Sequence, residues 1–510
     1  MAFEEYIAEF ERRKAKAMGM GGPEKLARRK ASGIMNARER IDYLIDQGTF
    51  LESGLFGTSI FPAMREKSPA DGKIAGFGKI NGREIGISSN DFTVMGASSS
   101  QVNGKKIGHI KDVATKRGLP LVFLGESTGA RMPDVMGATS MGSSSKPTQY
   151  LRMRETPWVS AVLGHCFGSS AWYASMSDFV VMRKGSVMAV SSPRLIALAT
   201  REEVDPEVLG GWKLHAETTG LIDLAVDTDE EALDAVKKYL SYMPGHHNEA
   251  PPRMPVPAGS DEAVKNILDL VPESQSKVYD VRKVIGAVMD RESFFELKAK
   301  FGRTIVTGLA RLDGRTVGVI ANNPLYKGGA VDADACDKVV SFLVQCDSFN
   351  IPIILLVDQP GFLIGVEAEK KRIPGKIMNW MNALSLCTVP KISIVMRKNY
   401  GQAFLNMGGG GNADEVAAWW TADISFMDPA SGVAIVFGVN RQDDPERFQQ
   451  CLKEMKRDTS AYDFAAVYGA QTVIDPRDTR SYLARILECH VNRLTNGVSS
   501  HLMRTWPTSF

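Results

Sequence analysis

The chain has 510 residues, of which 44% are hydrophobic and 24% charged, and its 61 basic and 59 acidic residues leave a net charge of +2. This balance gives no global electrostatic reason to bind nucleic acid, and there is no run of about 18 apolar residues that could span a membrane. The six cysteines and seven histidines are scattered, without a CxxC pair or an HExxH motif. No metal site is therefore predicted.

The first fifty residues are predicted to be helical and to pack against a domain or a partner subunit. The segment MAFEEYIAEFERRKAK is rich in glutamate and has no apolar core, which a targeting peptide would need, so a cytoplasmic protein is expected. Two basic stretches, Arg12-Arg13-Lys14 and Arg28-Arg29-Lys30, fit either a solvated helix face or an anchor for a substrate phosphate.

Four segments of the first half recur in the same order in the second half. They are KINGREIGISSN (79–90) with RLDGRTVGVIAN (311–322), LPLVFLGESTG (119–129) with IPIILLVDQPG (351–361), PWVSAVLGHCFG (157–168) with PKISIVMRKNYG (390–401), and SDFVVM (177–182) with ADISFM (422–427). The separation is nearly constant until the last pair, where we infer an insertion that contains Gly408–Gly411. Order and spacing together predict a tandem duplication.

Each half alternates short, apolar, β-branched runs with stretches of helical periodicity. This alternation predicts an α/β fold with mixed or parallel sheets and crossover helices. The stretch 244–262 is rich in proline and has no periodicity, so it is predicted to be the linker, with a boundary near residue 255. The predicted domains are therefore 1–255 and 256–510.

Four glycines end apolar runs at equivalent places in the two halves: Gly129 with Gly361, and Gly168 with Gly401. One interpretation is that glycine simply permits a tight turn with positive φ. Small or helix-starting residues follow these turns, and a helix that begins there leaves backbone N–H groups free. Two such sets could stabilise two oxyanions, and one donor of this kind is worth roughly 10²–10³ in rate.

Side-chain chemistry has fewer signatures. The chain contains neither the GxSxG elbow of hydrolases nor a GxxxxGK[ST] phosphate loop. Glu126 and Asp358 are equivalent carboxylates at strand ends, which could act as general bases or could cap a helix or pair with Arg131. His165 and His215 could contact a ligand or could be structural.

Several motifs carry a family resemblance: DFTVMGAS (91–98), STGAR (127–131), DSFNIPIILLVDQPGF (347–362) and VPKISIVMRKNYG (389–401). They resemble the carboxyltransferase (β) subunits of biotin-dependent acyl-CoA carboxylases, the family of propionyl-CoA carboxylase and methylmalonyl-CoA transcarboxylase. The resemblance runs in order from about residue 25 to residue 490. It implies a tandem duplication of two crotonase-like (ClpP/crotonase) domains.

The resemblance also implies a reaction. Carboxybiotin on a carrier protein gives up CO₂, its ureido oxygen removes the α-proton of a short acyl-CoA, and backbone amides stabilise both oxyanions. Family members form homohexamers that work with a biotin carboxylase subunit and a biotin carboxyl carrier protein. Biotin is expected on the partner, because this chain has no AMKM-type biotinylation motif.

By position, the resemblance assigns the acyl-CoA side to the first domain and the biotin side to the second. It implies catalytic roles for Gly168, Ser169, Gly401, Gln402 and Ala403, acyl-CoA binding by Gly129, Ala130, Arg131 and Ser170, acyl selectivity for Leu405, and a biotin side formed by Gly328, Gly329, Gly361 and Phe362.

Two alternatives to a carboxylase component remain open. The same site run in reverse would serve the α subunit of a biotin-dependent acyl-CoA decarboxylase. Thr128, Ser169 and Gln402 stand where the family usually has glycine, which also fits a scaffold paralogue with weakened catalysis.

Overall fold

The computed structural model describes residues 3–142 and 150–507. The chain forms two compact units, Met1–His247 (unit 1) and Asn248–Phe510 (unit 2). Each unit is a sheet covered by helices, which confirms the predicted α/β class. Within the described ranges, no helix combines the length and apolar character needed to cross a membrane.

The sheet of unit 1 is mostly parallel. Its described strands are β1 (Leu51–Ser53), β2 (Lys73–Ile80), β3 (Arg83–Asn90), β4 (Leu121–Ser127), β5 (Trp158–Phe167), β6 (Phe179–Arg183), β7 (Val187–Ala189) and β8 (Leu224–Val226). They are hydrogen-bonded in the order β1-β2-β3-β4-β5-β6-β8, and β7 pairs with β5. The pairs from β3 onward are parallel. β4 and β5 are buried along nearly their whole length, as expected for strands covered on both faces.

Helices cover this sheet and precede it. They are α1 (Glu4–Met18), α2 (Pro23–Ala31), α3 (Ala37–Leu44), α4 (Pro62–Arg65), α5 (Gln101–Arg117), α6 (Met132–Val135), α7 (Gly137–Gly142), α8 (Ser169–Met176), α9 (Pro193–Thr200), α10 (Pro206–Gly210) and α11 (Asp229–Tyr242). The crossover helix α5 begins at a capping box on Ser100 and ends at Gly118, which adopts the left-handed conformation. The predicted helical start of the chain is confirmed.

Unit 2 repeats this design. Its strands are β9 (Phe295–Leu297), β10 (Ile305–Leu312), β11 (Arg315–Asn322), β12 (Ile353–Gln359), β13 (Lys391–Tyr400), β14 (Glu415–Trp419), β15 (Asp423–Ser425) and β16 (Thr472–Ile474). Their order is β16-β14-β13-β12-β11-β10-β9, with β15 paired to β13. The helices are α12 (Val281–Val288), α13 (Ala333–Ser348), α14 (Val366–Lys370), α15 (Ile373–Leu386), α16 (Ala403–Asn406), α17 (Pro429–Phe437), α18 (Pro445–Met455), α19 (Ala461–Ala466) and α20 (Thr479–His490).

The strand registers confirm the duplication. Lys73 pairs with Asn90 in β2–β3, and at the equivalent place Ile305 pairs with Asn322 in β10–β11. The β4–β5 register slips just before Ser127, and the β12–β13 register slips at the same point. The two halves therefore share even their irregularities.

One of the four sequence matches is wrong. In unit 1, β6, which lies in the SDFVVM segment, pairs with β5. The strand that pairs with β13 at the equivalent place in unit 2 is β14, not the ADISFM segment. The strand β15 inside ADISFM is instead the counterpart of β7. The chain diverges because α8 has eight residues, whereas α16 has only four and gives way to the turn that contains Gly408–Gly411.

Most of the proline-rich stretch between the halves, from residue 248 onward, belongs to unit 2. The unit boundary falls after His247, and the predicted position near residue 255 lies in an extended segment beyond it. Two hydrogen bonds attach that segment to the rest of unit 2. The Met254 N–H donates to Gly314 O at 2.8 Å, and Asn350 Nδ2 donates to Glu249 O at 2.7 Å. The boundary between the units therefore lies within the predicted linker, 244–262.

Candidate active site

In unit 1 two turns meet at the carboxyl ends of β4 and β5. Gly129 follows β4 and Gly168 follows β5, and because the strands are parallel neighbours, both turns lie at the same sheet edge. A Cβ atom added to Gly168 would lie 3.8 Å from the Cα of Gly129. Crevices at the carboxyl ends of parallel strands are the usual ligand sites of α/β folds.

The backbone amides at these turns divide into occupied and free groups. The Gly168 N–H donates to Val190 O at 3.2 Å, and the Gly129 N–H donates to Ser127 Oγ at 3.1 Å. These two glycines therefore do not supply free donors, which corrects the prediction that their own amides would bind an oxyanion. They supply the conformation instead, with φ of 62° at Gly168 and 99° at Gly129.

The residues that follow the glycines carry the free amides. Ala130 and Ser99 form an isolated parallel β-bridge, and the residues on either side of Ala130 make its hydrogen bonds. The Ser99 N–H donates to Gly129 O, and the Arg131 N–H donates to Ser99 O, both at 2.8 Å. The Ala130 N–H is left without an acceptor in the described part of the chain. Ser169 begins α8, and its N–H also has no acceptor among the described residues, as expected in the first turn of a helix.

Polar side chains brace this edge. Ser169 Oγ is hydrogen-bonded to Ser99 Oγ at 2.8 Å. Asn90 Nδ2 donates to Glu126 O at 2.9 Å and to Ser170 Oγ at 3.2 Å. These contacts connect the ends of β3, β4 and α8, so the turn that carries Ser169 is held from both sides.

Glu126 is locked in a buried ion-pair network. Arg29 of α2 donates to both its carboxylate oxygens, at 3.0 and 2.5 Å, and Arg40 of α3 donates to Glu126 Oε2 at 2.7 Å and to Asp229 at 3.0 Å. The Arg40 side chain is 0% exposed. The structure therefore corrects the expected partner, Arg131. In the second basic stretch, Arg29 is a structural cation, whereas Arg28 and Lys30 are exposed.

Arg131 lies beneath the β4 turn. Its guanidinium donates to Asp71 and to Ser98 Oγ, and the side chain is 2% exposed. Its side-chain hydrogen bonds hold the scaffold under the turn, and its backbone N–H is used by Ser99 O, so the structure gives Arg131 a supporting role at this site. Ser170, predicted at the same side, is also buried and accepts the hydrogen bond from Asn90.

Unit 2 repeats these turns, and here too the N–H of the glycine after the strand is hydrogen-bonded, whereas the N–H groups that follow it are free. The Gly401 N–H donates to Ser425 O at 3.0 Å, so this glycine too shapes the turn, with φ of 66°, rather than supplying a donor. Phe362 bridges to Val331 as Ala130 bridges to Ser99. Across the described ranges of unit 2, the N–H groups of Phe362, Gln402 and Ala403 donate to no protein acceptor.

The predicted biotin side has close backbone packing around these amides. Gly361 has a φ of 124°, Gly328 a φ of 63° and Gly329 a φ of 84°. A Cβ on Gly329 would come within 2.6 Å of Asp358 O. Asp358 itself is fully buried and accepts from Arg397 Nε at 2.9 Å, so, like Glu126, it is an ion-pair partner.

Three further candidates from the sequence are Leu405, His215 and His165. Leu405 is half-buried and packs over Gly410, where an added Cβ would approach Leu405 Cδ2 to 2.6 Å. His215 is structural, with Nε2 2.7 Å from Met188 O, and burial lowers its pKa. His165 is exposed beside Phe92 and Phe167. The described residues contain no cluster of three or more metal-capable side chains.

Comparison with known proteins gives the family. The carboxyl transferase domain model matches residues 28–501. The chain is 36% identical to the carboxyltransferase subunit of propionyl-CoA carboxylase from Haloferax mediterranei, over 95% of each chain, and 33% identical to the methylmalonyl-CoA decarboxylase subunit alpha of Propionigenium modestum, over 93% of each.

A solved structure agrees with these relatives. The crystal structure of transcarboxylase 12S, described as a hexamer that binds methylmalonyl-coenzyme A, is similar with a TM-score of 0.88 and 32% identity over 96% of each chain. This likeness confirms the duplicated crotonase-like fold and the enzyme class that the motifs indicated. The chain belongs to the carboxyl transferase domain family.

Proposed function

We propose that this chain is the carboxyltransferase component of a biotin-dependent acyl-CoA carboxylase, which moves CO₂ from carboxybiotin on a carrier protein to the α carbon of a short acyl-CoA. The observation that supports this most directly is the set of free backbone amides in each half. These are the N–H groups of Ala130 and Ser169 in unit 1, and of Phe362, Gln402 and Ala403 in unit 2.

On the acyl-CoA side, the amides of Ala130 and Ser169 are suited to a thioester oxygen. Loss of the α-proton places negative charge on that oxygen, and backbone donors fixed by the fold stabilise it without reorganisation. Glu126, the carboxylate nearest the turn in sequence, is held by two arginines and is a poor candidate for a base. The chain therefore supplies binding and charge stabilisation rather than proton transfer.

On the biotin side, the free amides of Phe362, Gln402 and Ala403 fit the oxygen of a cyclic urea. The turns at Gly328 and Gly361 have no Cβ atoms, which leaves room for a ring to approach the backbone. When bound, carboxybiotin supplies both the CO₂ and the oxygen that takes the α-proton. The protein residues hold that oxygen and its ring in place.

The partners and assembly form part of the proposal. The transcarboxylase 12S relative is described as a hexamer within a multienzyme core, and we extend a homohexamer, a biotin carboxylase subunit and a biotin carboxyl carrier protein to this chain. We keep the cytoplasmic setting and the selecting role of Leu405 as expectations from the sequence.

Two alternatives differ in their support. The decarboxylase relative from Propionigenium modestum keeps the reverse reaction as a second candidate, since the same amides would serve it. A scaffold without catalysis is disfavoured, because Ser169 and Gln402 replace the glycines usual in the family and still leave their N–H groups free.

Carboxyl exchange with a panel of acyl-CoA esters tests the proposal. Purified chain with a biotinylated carrier should exchange labelled carboxyl groups between carboxybiotin and at least one short acyl-CoA. Folded, assembled protein that binds no CoA ester and exchanges with none would contradict it. Consumption of ATP with a biotin carboxylase partner would distinguish the carboxylase from the decarboxylase.

A further inference from the structure

Two serine hydroxyls meet between the two chain segments of unit 1 that carry free backbone N–H groups. Ser169 Oγ lies 2.8 Å from Ser99 Oγ. Ser169 follows the Gly168 turn and carries one of the free N–H groups, and Ser99 forms the parallel bridge with Ala130, which carries the other. The hydroxyl pair therefore links the two segments that present these donors.

The pair has one more proton than the bond between its members uses. Each hydroxyl can donate one hydrogen bond, and a bond between two hydroxyls consumes only one of the two protons. Within residues 3–142 and 150–507, the Oγ atoms of Ser99 and Ser169 make no hydrogen bond to any other protein group. Both side chains are half-buried rather than enclosed, so the second proton is available to a bound ligand.

Covalent geometry places one of these hydroxyls beside a free amide. The Oγ and backbone N atoms of a serine are joined through Cα and Cβ, so in every rotamer Ser169 Oγ lies within about 4 Å of the Ser169 N–H nitrogen. An acceptor that binds this N–H is therefore also within reach of the hydroxyl. When Ser99 donates to Ser169, the Ser169 proton is the one left for that acceptor.

Unit 2 shows that the fold does not need this hydroxyl pair. At the positions of the two serines it has Val331, which forms the bridge to Phe362, and Gln402, which follows the turn. Val331 is fully buried and has no hydroxyl. The two turns nevertheless have nearly the same conformation, with φ of 66° at Gly401 and 62° at Gly168. The pair is therefore specific to the half that we propose binds acyl-CoA.

We infer that this pair donates a third hydrogen bond to the thioester oxygen, with Ser169 as the catalytic donor and Ser99 as the residue that positions it. The inference rests on the proposed function and adds a side-chain group to that same site. Loss of the α-proton turns the thioester oxygen into an oxyanion, which accepts from the N–H groups of Ala130 and Ser169 and from the Ser169 hydroxyl. Ser99 donates to Ser169 Oγ, which polarises the hydroxyl and strengthens the bond that it donates.

Steady-state carboxyl transfer by serine variants of the full-length protein tests this inference. Ser169→Ala should lower kcat about three- to tenfold, the effect of losing one neutral hydrogen bond. The KM for the acyl-CoA should change by less than about twofold, because the charge on the oxygen develops only during the reaction. Ser99→Ala should also lower kcat, and the double variant should be no slower than Ser169→Ala, since both residues act through one hydrogen bond.

A second serine pair of the same kind provides the control. Ser177, which follows the last residue of α8, has its Oγ 2.8 Å from Ser160 Oγ. Ser177→Ala removes a bond of equal length from the other end of the same helix and should change kcat by less than about twofold. S-propyl-CoA, a thioether that lacks the carbonyl oxygen, should bind wild type and Ser169→Ala with the same affinity in calorimetry.

The outcomes separate this inference from the proposed function. An active wild type with an unchanged kcat in Ser169→Ala would overturn the third donor, and so would an equal loss in Ser177→Ala, which would mark both pairs as braces of α8. Absence of transfer by the wild type with every acyl-CoA would contradict the proposed function instead. If Ser169→Ala does not fold, Ser169→Gly provides the second test, and full activity in that variant would count against the donor.

Discussion

Ala130 and Phe362 occupy the same position in the two halves, and each is the central residue of an isolated parallel bridge, to Ser99 and to Val331. In both bridges the flanking residues make the hydrogen bonds, so the central N–H is directed away from its partner strand. The free donors in the two halves are thus produced by one inherited backbone geometry. This geometry supports a reaction with two oxyanions.

Replacing either turn glycine should stop turnover. Gly168 and Gly401 have φ values of 62° and 66°, which β-branched residues avoid. Gly168→Val and Gly401→Val should each lower carboxyl transfer by about 10²-fold or more, because the amide that follows is displaced. Gly108→Val, in a helix with open space around the glycine, is the control. Unchanged transfer in both turn variants, with assembly checked by size-exclusion chromatography, would show that the turns are only structural.

The biotin side can be tested by deleting one N–H. Gln402 has a φ of −68°, close to the value that proline fixes. We expect Gln402→Pro to reduce carboxyl transfer by roughly 10²–10³ and to leave acyl-CoA binding unchanged, whereas Gln402→Ala should retain most of the activity. Steady-state transfer and calorimetry on the same preparations provide the two readouts. Equal activity of the proline and alanine variants would remove Gln402 from the mechanism.

Arg40 should be essential for stability. Arg40→Met removes a partner from both Glu126 and Asp229, which are buried, and breaking such a pair costs about 3–5 kcal/mol. Urea unfolding followed by tryptophan fluorescence at fixed protein concentration measures the loss. Arg28→Met, whose partner Glu24 is exposed, should change the unfolding free energy by no more than about 0.5 kcal/mol. Similar effects of the two variants would contradict the role of the network.

Lys338 should make stability depend on pH. Its amine donates to the carbonyls of Lys298, Phe301 and Ile305, and burial lowers its pKa from 10.5 to about 7. Between these two values the unfolded chain binds a proton that the folded protein does not, so stability rises with pH. The unfolding free energy of the wild type minus that of Lys338→Met should therefore increase from pH 7 to pH 9. A constant difference would show that the lysine stays charged when buried.

Much of the fold was predictable because a duplication shows itself in the sequence. The repeated glycine turns and apolar runs predicted two equivalent halves, each with mixed or parallel strands and crossover helices. The fourth match failed because α16 is shorter than α8, and short apolar strands such as β6 and β15 carry too few residues to fix an alignment. The predicted linker, 244–262, contains the boundary between the two units, which falls after His247.

The sequence allowed the turns of the site to be predicted, but not which of their N–H groups are free. Sequence could place Gly168 and Gly401 at strand ends, but which N–H is already used depends on contacts with Val190 and Ser425, far along the chain. The partners of Glu126 were missed for the same reason.

The N–H of Ser169 is the most direct test of the account. Ser169 is the first residue of α8, a position where proline is well tolerated and where its missing N–H costs the helix nothing. Ser169→Pro should fold and assemble, yet lose about 10²–10³ in carboxyl transfer, while Ser169→Ala, which lacks only the side-chain hydroxyl, should lose less than about tenfold. Transfer by the proline variant at the level of the alanine variant would contradict the claim that backbone amides carry the catalysis.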